Sequence, residues 1–189
     1  MRRIRFLQAL ALFSTGLLAG AFGYGAANLV PTFNAVPIEM RLDFHAELMK
    51  MNGITMQATM AVSALSTLAL AASVRGRARV LTGAAGLLTV SSFLITRFGN
   101  VPINGRIKQW AATAPPADHA EILGRWELFN DARTATAALA FGLLIALTSS
   151  GDPAKARVSR CCTLSGVRRS ADRGLGHADP GRCSGVSGV

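Results

Sequence analysis

The sequence lacks most features of a soluble catalytic domain. Only 16% of its 189 residues are charged, whereas typical soluble domains carry about 25%. It contains no P-loop, no nucleotide-binding glycine motif, no HExxH helix and no haem-attachment CxxCH. All three cysteines (Cys161, Cys162 and Cys183) lie near the C-terminal end, and their spacing with His177 is not that of a zinc site. The residues therefore give no sign of a metal site and argue against the common nucleotide-dependent enzyme classes.

Long stretches without any charge dominate residues 1–150. There are four of them, each 17 to 25 residues long. A helix of about 20 apolar residues, rising about 1.5 Å per residue, crosses a hydrocarbon core of about 30 Å. A cleaved signal peptide is the alternative for the first stretch, but its apolar run exceeds the usual length of about 7–15 residues. We predict an all-α fold, a four-helix transmembrane bundle in a lipid bilayer, with spans at about 6–30, 54–74, 80–98 and 132–150.

Basic residues cluster in three places that four spans would bring to one side of the membrane. These clusters are Arg2, Arg3 and Arg5; Arg75, Arg77 and Arg79; and Lys155, Arg157 and Arg160. The positive-inside rule then predicts a multi-pass protein of the cytoplasmic (inner) membrane with both termini cytoplasmic. The same rule accounts for the net charge of +10, and no folded basic face with interleaved aromatic residues accompanies it. We therefore predict no nucleic-acid partner.

Residues 151–189 differ in composition from the rest of the chain. They are rich in glycine, serine, arginine and cysteine and show no apolar periodicity. This composition predicts a disordered, basic, cytoplasmic tail. The frameshifted end of a GC-rich gene would encode a similar composition, so both interpretations stay open.

A polar segment, Asn100–Asn104, separates the third and fourth charge-free stretches. Pro102 is predicted to interrupt the helix and to favour an extended conformation at Val101, with the two asparagines as caps. We expect a short interfacial helix between spans three and four, from about residue 103 to 112. The next helix is predicted to run unbroken from about Pro116 into the fourth span.

The connection between the first two spans, residues 31–53, also contains polar residues. Pro31 and Pro37 are predicted to stop helix there. From Glu39 to Asn52 we expect a helical turn or two lying in the membrane interface, because apolar residues recur there at helical spacing. This segment contains His45, whose imidazole titrates near neutral pH and is a natural general base.

Three residues before the fourth span form one helical stripe. Trp126, Asn130 and Arg133 stand at positions i, i+4 and i+7, which share a face of a helix. We expect this stripe to lie at the same end of the bundle as Asn100 and His45, so that three distant polar segments meet in one site. Each residue type also has a structural explanation, namely interfacial anchoring for tryptophan, capping for asparagine and snorkelling for arginine.

Two motifs and the tryptophan between them carry a family resemblance. They are N-V-P-x-N at Asn100–Asn104, then Trp110, then W-x-x-x-N-x-x-R at Trp126–Arg133. In these the chain resembles the anthrone oxygenase-like family of small four-helix membrane proteins, over about residues 6–150. The resemblance implies oxidation of anthrones to anthraquinones by molecular oxygen, without a metal or flavin, and therefore no cofactor. Phe129 departs from the tryptophan or histidine expected at its position.

The resemblance and the chemistry of an anthrone together suggest residue roles. An anthrone enolate reacts directly with oxygen, so the protein need only bind the flat rings, favour the anion and admit oxygen. Candidate catalytic residues are Arg133, Asn100, Asn130 and His45, and candidate substrate-binding residues are Trp110, Trp126, Asn104 and Arg125. The substrate would be a small hydrophobic aromatic or quinone-like molecule from the membrane, and the oligomeric state is left open. The alternative is a non-catalytic membrane binding or assembly protein in which the polar motifs are structural.

Overall fold

The computed structural model describes residues 2–149, and the regular structure within that range is helical throughout. Helix α1 (Arg2–Tyr24) continues through a first π-helix (Gly25–Leu29) into α2 (Val30–Ala35), and α3 spans Ile38–Ser73. Helix α4 (Arg77–Ile95) continues through a second π-helix (Thr96–Asn100) into α5 (Val101–Ala112), and α6 spans His119–Ser149. The helices thus form four rods, and the predicted all-α class is confirmed. The predictions for residues 151–189 lie outside the described residues.

All four rods are long and apolar enough to cross a membrane. They contain 31 to 36 residues, with mean hydropathy of 1.4 to 1.6 over their most apolar 18-residue windows. At most 28% of any such window is buried inside the bundle, so most of these side chains are at least partly exposed on its surface, as in proteins surrounded by lipid. The predicted set of four candidate spans is confirmed, whereas their orientation in the membrane stays a prediction. The rods are about 46–54 Å long, so each exceeds a hydrocarbon core of about 30 Å.

The predicted connection at residues 31–53 is wrong, because almost all of it is helical. Pro31 stands in the first turn of α2, directly after the first π-helix. The widened backbone there accommodates its ring and its missing N–H, so it does not end the first rod. Val36 is extended, with φ −108° and ψ 159°, so the predicted break near Pro37 does occur. Beyond it, the expected one or two interfacial turns are instead the first part of the continuous helix α3.

The predicted interruption at Pro102 is also wrong. Val101 is helical, with φ −61° and ψ −44°, and Pro102 lies in the first turn of α5. The second π-helix widens the backbone just before the proline, so its missing N–H and its ring are accommodated without a break. The Asn100 side chain does not cap α5. Within the described residues no separate interfacial helix lies between spans three and four, since α5 simply extends the third rod.

The rods pack antiparallel to their sequence neighbours and define two ends. We call the end with the connections at 36–37 and 113–118 the motif end, and the end with the connection at 74–76 the terminal end. At the terminal end, three alanines pack with two leucines in a cluster of Ala11, Leu70, Ala85, Ala140 and Leu144. At the motif end, the core consists of larger side chains, namely Phe33, Leu42, Ile103, Ile107, Trp110, Ile122, Leu123 and Trp126. We call the parts of the bundle around these two clusters its two halves. A cavity lies where the motif-end half meets the terminal-end half.

Candidate functional site

The cavity has a volume of about 330 Å³ and is bordered by all four rods. Small-molecule sites occupy about 300–1,000 Å³, so this cavity can hold a small ligand. Both π-helices border it, the first through Gly25 and Leu29 and the second through Thr96. A π-helix arises when one extra residue is inserted into an α-helix. Such π-helical turns are frequent at functional sites, because they redirect side chains and free backbone groups. Most of the remaining wall is apolar, with aromatic rings and methionines from α1, α2 and α3.

Among residues 2–149, Arg133 alone brings a charge to the cavity wall. Its Nη2 and Nε donate to the side-chain oxygen of Asn130, one turn earlier, at 2.7 Å and 3.3 Å. Its guanidinium carbon lies 4.3 Å from the centroid of the Phe22 ring. Between residues 2 and 149, three ion pairs form, and none of them involves Arg133. The cation therefore faces an amide and an aromatic ring rather than a carboxylate.

Two asparagines beside Arg133 have side-chain atoms without a partner. Asn130 is 2% exposed, its oxygen accepts from Arg133, and its Nδ2 makes no hydrogen bond within the described part of the chain. Asn100 is fully buried and donates through Nδ2 to the carbonyl oxygen of Trp126 at 3.1 Å, while its Oδ1 has no partner there. An unpaired buried polar group costs about 1–3 kcal/mol. Asn130 lines the cavity, so a ligand could supply the acceptor that its Nδ2 lacks.

Asn104 joins three helices through one oxygen atom. The Nε1 of Trp126 donates to Asn104 Oδ1 at 2.8 Å, and the Nε2 of His45 lies 3.3 Å from the same atom. An indole N–H can only donate, so the Asn104 atom that it meets must be the oxygen. His45 Nε2 must then carry a hydrogen to bond that oxygen. This places the neutral imidazole in the Nε2–H tautomer, with the lone pair on Nδ1.

His45 supports the aromatic wall of the cavity from behind. Its ring is fully buried, stacks on Phe33 (centroids 5.1 Å apart, planes 11° apart) and meets Trp126 edge to face at 4.6 Å. Phe33, Trp126 and Asn104 line the cavity, but His45 does not. Its Nδ1 has no hydrogen-bond partner among residues 2–149. The candidate base is therefore adjacent to the cavity and separated from it by one layer of rings.

Two candidates from the sequence lie away from the cavity. Trp110 is buried in the motif-end core, with the guanidinium of Arg106 5.3 Å from its ring centroid. Arg125 has a side chain that is 68% exposed and pairs with Glu121 at 3.1 Å. Four candidates (Asn104, Trp126, Asn130 and Arg133) thus line the cavity, and two more (His45 and Asn100) contact residues that line it. Trp110 and Arg125 do neither.

Phe129, the departure from the family pattern, has a packing role. Its ring fits against Gly99 of the second π-helix so closely that a Cβ at position 99 would lie 2.6 Å from a ring carbon. The ring therefore holds α6 against the π-helix that borders the cavity.

Sequence reasoning missed the contributions of the first rod and of one buried ion pair. Phe22 and Phe33 line the cavity but lie in a plain apolar stretch with no distinguishing pattern. Arg41 is 6% exposed, pairs with Glu127 at 3.0 Å and bonds the side-chain oxygen of Asn34. The sequence does show opposite charges in these two polar segments, which was the only signal for the pair. Because Arg41 was expected in a connecting segment, its charge gave no reason to predict a buried position.

The described residues contain no group of three or more His, Cys, Asp or Glu side chains arranged to hold a metal ion. The polar groups of the described residues at the cavity are amides, the hydroxyls of Tyr24 and Thr96, and one guanidinium. These groups can bind and orient an oxygen atom of a ligand through hydrogen bonds.

Comparison with known proteins identifies the family. The family model for anthrone oxygenase matches residues 44–143, a range that includes His45, both sequence motifs and the part of α6 beside the cavity. No curated protein and no solved structure matches the chain. The match covers more than half of the chain, and the resemblance inferred from the motifs is confirmed: the chain belongs to the anthrone oxygenase family.

Proposed function

We propose that this member of the anthrone oxygenase family oxidises a lipophilic aromatic compound with molecular oxygen, without a metal or flavin. The substrate would carry an acidic C–H group next to a ring carbonyl, as an anthrone does. The observation that carries this proposal is the cavity between four candidate membrane spans, with aromatic walls and with Arg133 and Asn130 at one side.

The reaction needs little more than stabilisation of an anion. Removal of a proton from the ring methylene gives an enolate, which passes electrons to oxygen, and the balanced change converts CH₂ and O₂ into C=O and H₂O. Negative charge develops on the carbonyl oxygen in the first step. Arg133 and the free Nδ2 of Asn130 are donors that could hold that oxygen, and donors fixed in advance where charge develops are among the strongest contributors to catalysis.

The aromatic wall would hold the flat ring system. Trp126 and Phe33 line the cavity, with ring centroids 6.4 Å apart, and Asn104 fixes the indole of Trp126 by a hydrogen bond at 2.8 Å. Aromatic rings favour offset or edge-to-face contacts with other rings. Tyr24, which also borders the cavity, is 66% exposed on the outer surface of the first rod. A substrate dissolved in the bilayer would therefore enter beside the first π-helix.

His45 is the proposed proton acceptor. The Nε2–H tautomer leaves the lone pair on Nδ1 free, as a base requires. The Phe33 ring stands between this imidazole and the cavity, so a movement of the Phe33 side chain must accompany proton transfer. Asn100 acts in this proposal through its bond to the Trp126 carbonyl, which positions the indole.

Oxygen consumption by purified protein with a model anthrone tests this function. Anthrones oxidise slowly without help, so the control is the Arg133→Ala protein under the same conditions. We expect uptake above background for the natural protein and background alone for the variant, with equal thermal stability of the two proteins. Equal uptake by both proteins would contradict the assigned role of Arg133.

A second candidate function is a non-catalytic binding or assembly protein. The observation in its favour is that Asn100 and Asn104 bond to other helices within the protein, so the first motif acts as a brace. If this alternative is correct, Asn100→Ala should lower the thermal stability. The natural protein should then show no anthrone-dependent oxygen uptake. The two candidates therefore differ in the oxygen measurement itself.

A further inference from the structure

We propose that the cavity binds planar aromatic anions in preference to neutral molecules of the same shape, with Arg133 as the residue that determines this specificity. This extension rests on the proposed function for the identity of the site, but it requires no turnover. It assigns a charge to the substrate class, which neither the motifs nor the family match states.

The first observation is the charge balance of the cavity wall. Of the residues that the structure describes, Arg133 is the only charged one that lines the cavity, and no aspartate or glutamate does so. Two other arginines at the motif end, Arg41 and Arg125, each pair with a glutamate at 3.0 Å and 3.1 Å. A cation in an apolar wall is costly unless an opposite charge accompanies it. A bound anion would supply the charge that the described residues do not.

The direction of the Arg133 side chain argues against a purely structural role. An arginine near the end of a membrane helix commonly extends toward the interface, where water solvates it. Here the guanidinium instead lies over the Phe22 ring and bonds Asn130 on its own helix. The Phe22 ring and Asn130 both line the cavity. The side chain is thus held at the cavity wall by two uncharged groups.

The second observation is that the unpartnered buried atom of Asn130, which lines the cavity beside Arg133, is a hydrogen-bond donor. Arg133 fixes the orientation of the Asn130 amide, because the guanidinium can bond only its oxygen. The unpartnered atom is therefore the NH₂ group, on a side chain that is 2% exposed. Donors without a matching acceptor suit a ligand oxygen that only accepts, such as a phenolate, an enolate or a carboxylate.

The rest of the wall favours an aromatic body for that anion. Phe22, Phe33 and Trp126 present rings, and Met56 and Met60 present flexible thioethers that pack well against rings. A fatty-acid carboxylate from the membrane shares the anionic group but has a flexible chain that gains less from ring stacking. We therefore assign the aromatic anion and treat the fatty acid as the competing outcome.

Calorimetric titration of the full chain in lipid nanodiscs tests the assignment. The probes are anthraquinone-2-carboxylate, its uncharged carboxamide and decanoate, each also titrated into empty nanodiscs to subtract partition into lipid. We expect the carboxylate to bind about tenfold or more tightly than the carboxamide, as a hydrogen bond to a charged group implies. Decanoate should bind more weakly than the aromatic carboxylate.

Two variants locate the effect. Arg133→Gln should reduce the ratio of the two aromatic affinities to about one, and Arg133→Lys should restore part of it. Arg97→Gln is the matched control, because Arg97 is an exposed arginine on the second π-helix and its loss lowers the overall charge equally. We expect Arg97→Gln to keep the natural ratio, and circular dichroism confirms that each variant is folded.

Each result either supports or overturns the inference. If the natural protein binds the aromatic carboxylate and its carboxamide with about equal affinity, the inference is overturned, even where no Arg133 variant folds. Equal loss of preference in Arg97→Gln would attribute the effect to net charge and also overturn it, and tighter binding of decanoate would overturn the aromatic assignment. Failure of the oxygen measurement with a preserved tenfold preference would reject the proposed reaction and retain the anion site.

Discussion

The two halves of the bundle use polar groups in different ways. Toward the terminal end, most buried hydroxyls bond carbonyl oxygens of their own helix, as Thr67 does to Ser63 at 2.7 Å, and a few meet across helices, as Thr67 and Thr89 do at 3.3 Å. Small residues and such hydroxyls let membrane helices approach closely. Two hydroxyls, of Thr15 and Ser63, have no partner within the described residues. This half is a closely packed core of helices.

At the motif end, amides, an imidazole and arginines replace the hydroxyls. These groups have more hydrogen-bonding atoms than a hydroxyl. Within residues 2–149, four of their buried atoms have no partner, namely Arg41 Nε, His45 Nδ1, Asn100 Oδ1 and Asn130 Nδ2. A hydroxyl can bond a carbonyl oxygen of the preceding turn, whereas an amide or a guanidinium has more donors and acceptors than one such bond can use. The residue types of the motif end are therefore less suited to simple helix packing and better suited to contact with a ligand.

The largest effect on activity is expected at Arg133. Arg133→Ala should lower the rate of anthrone-dependent oxygen uptake by about 100- to 1,000-fold, as loss of one oxyanion donor does in other enzymes. The measurement is the initial rate of oxygen uptake, corrected for autoxidation. Arg125→Gln provides the comparison from the surface of the same helix, and its rate should stay near that of the natural protein. A large loss in Arg125→Gln would contradict the placement of the site.

The largest effect on stability is expected at the buried ion pair of the motif end. Glu127→Ala leaves Arg41, which is 6% exposed, without its carboxylate, and should lower the free energy of unfolding by about 3 kcal/mol. Thermal unfolding in detergent measures it. Glu121→Ala, which breaks an exposed pair on the same helix, should change stability by about 0–1 kcal/mol. Similar losses for both pairs would contradict the burial described here.

An intermediate effect is expected at Gly99. Gly99→Ala places a methyl group 2.6 Å from the Phe129 ring, and such overpacking should cost about 1–3 kcal/mol of stability. Gly105→Ala is the matched control in α5, since no atom lies within 4 Å of a Cβ there. That change should be neutral or should stabilise the helix by up to about 1 kcal/mol. The double variant Gly99→Ala, Phe129→Leu should recover part of the loss.

The smallest effect is expected in the terminal-end half. Thr67→Val and Thr89→Val each remove one side of a hydroxyl contact of 3.3 Å, and hydrogen bonds between membrane helices average about 0.6 kcal/mol. We expect each variant to unfold within a few degrees of the natural protein and to retain full oxygen uptake. A loss of uptake with unchanged stability would show that this half also takes part in function, and would remove the contrast between the two halves.

Particular residues show how far the sequence leads. The stripe of Trp126, Asn130 and Arg133 follows from helical spacing alone, and all three residues line the cavity. Trp110 and Arg125 satisfy the same compositional criteria but point into the core and to solvent. Spacing along one helix shows which residues share a face, yet it contains no information on which face meets the other three rods.

The helical class, the number of candidate spans and the family follow from the amino-acid sequence alone, because charge-free runs, helical periodicity and contiguous motifs are local properties of a chain. The continuation of both rods through Pro31 and Pro102 follows from the three-dimensional packing, since the π-helices that permit it depend on contact with neighbouring rods. This packing also decided that Phe22 and Phe33 complete the cavity and that His45 stands behind its wall. Contacts between residues far apart in sequence depend on how the four rods pack. That packing minimises the free energy of the whole bundle and not of any single segment.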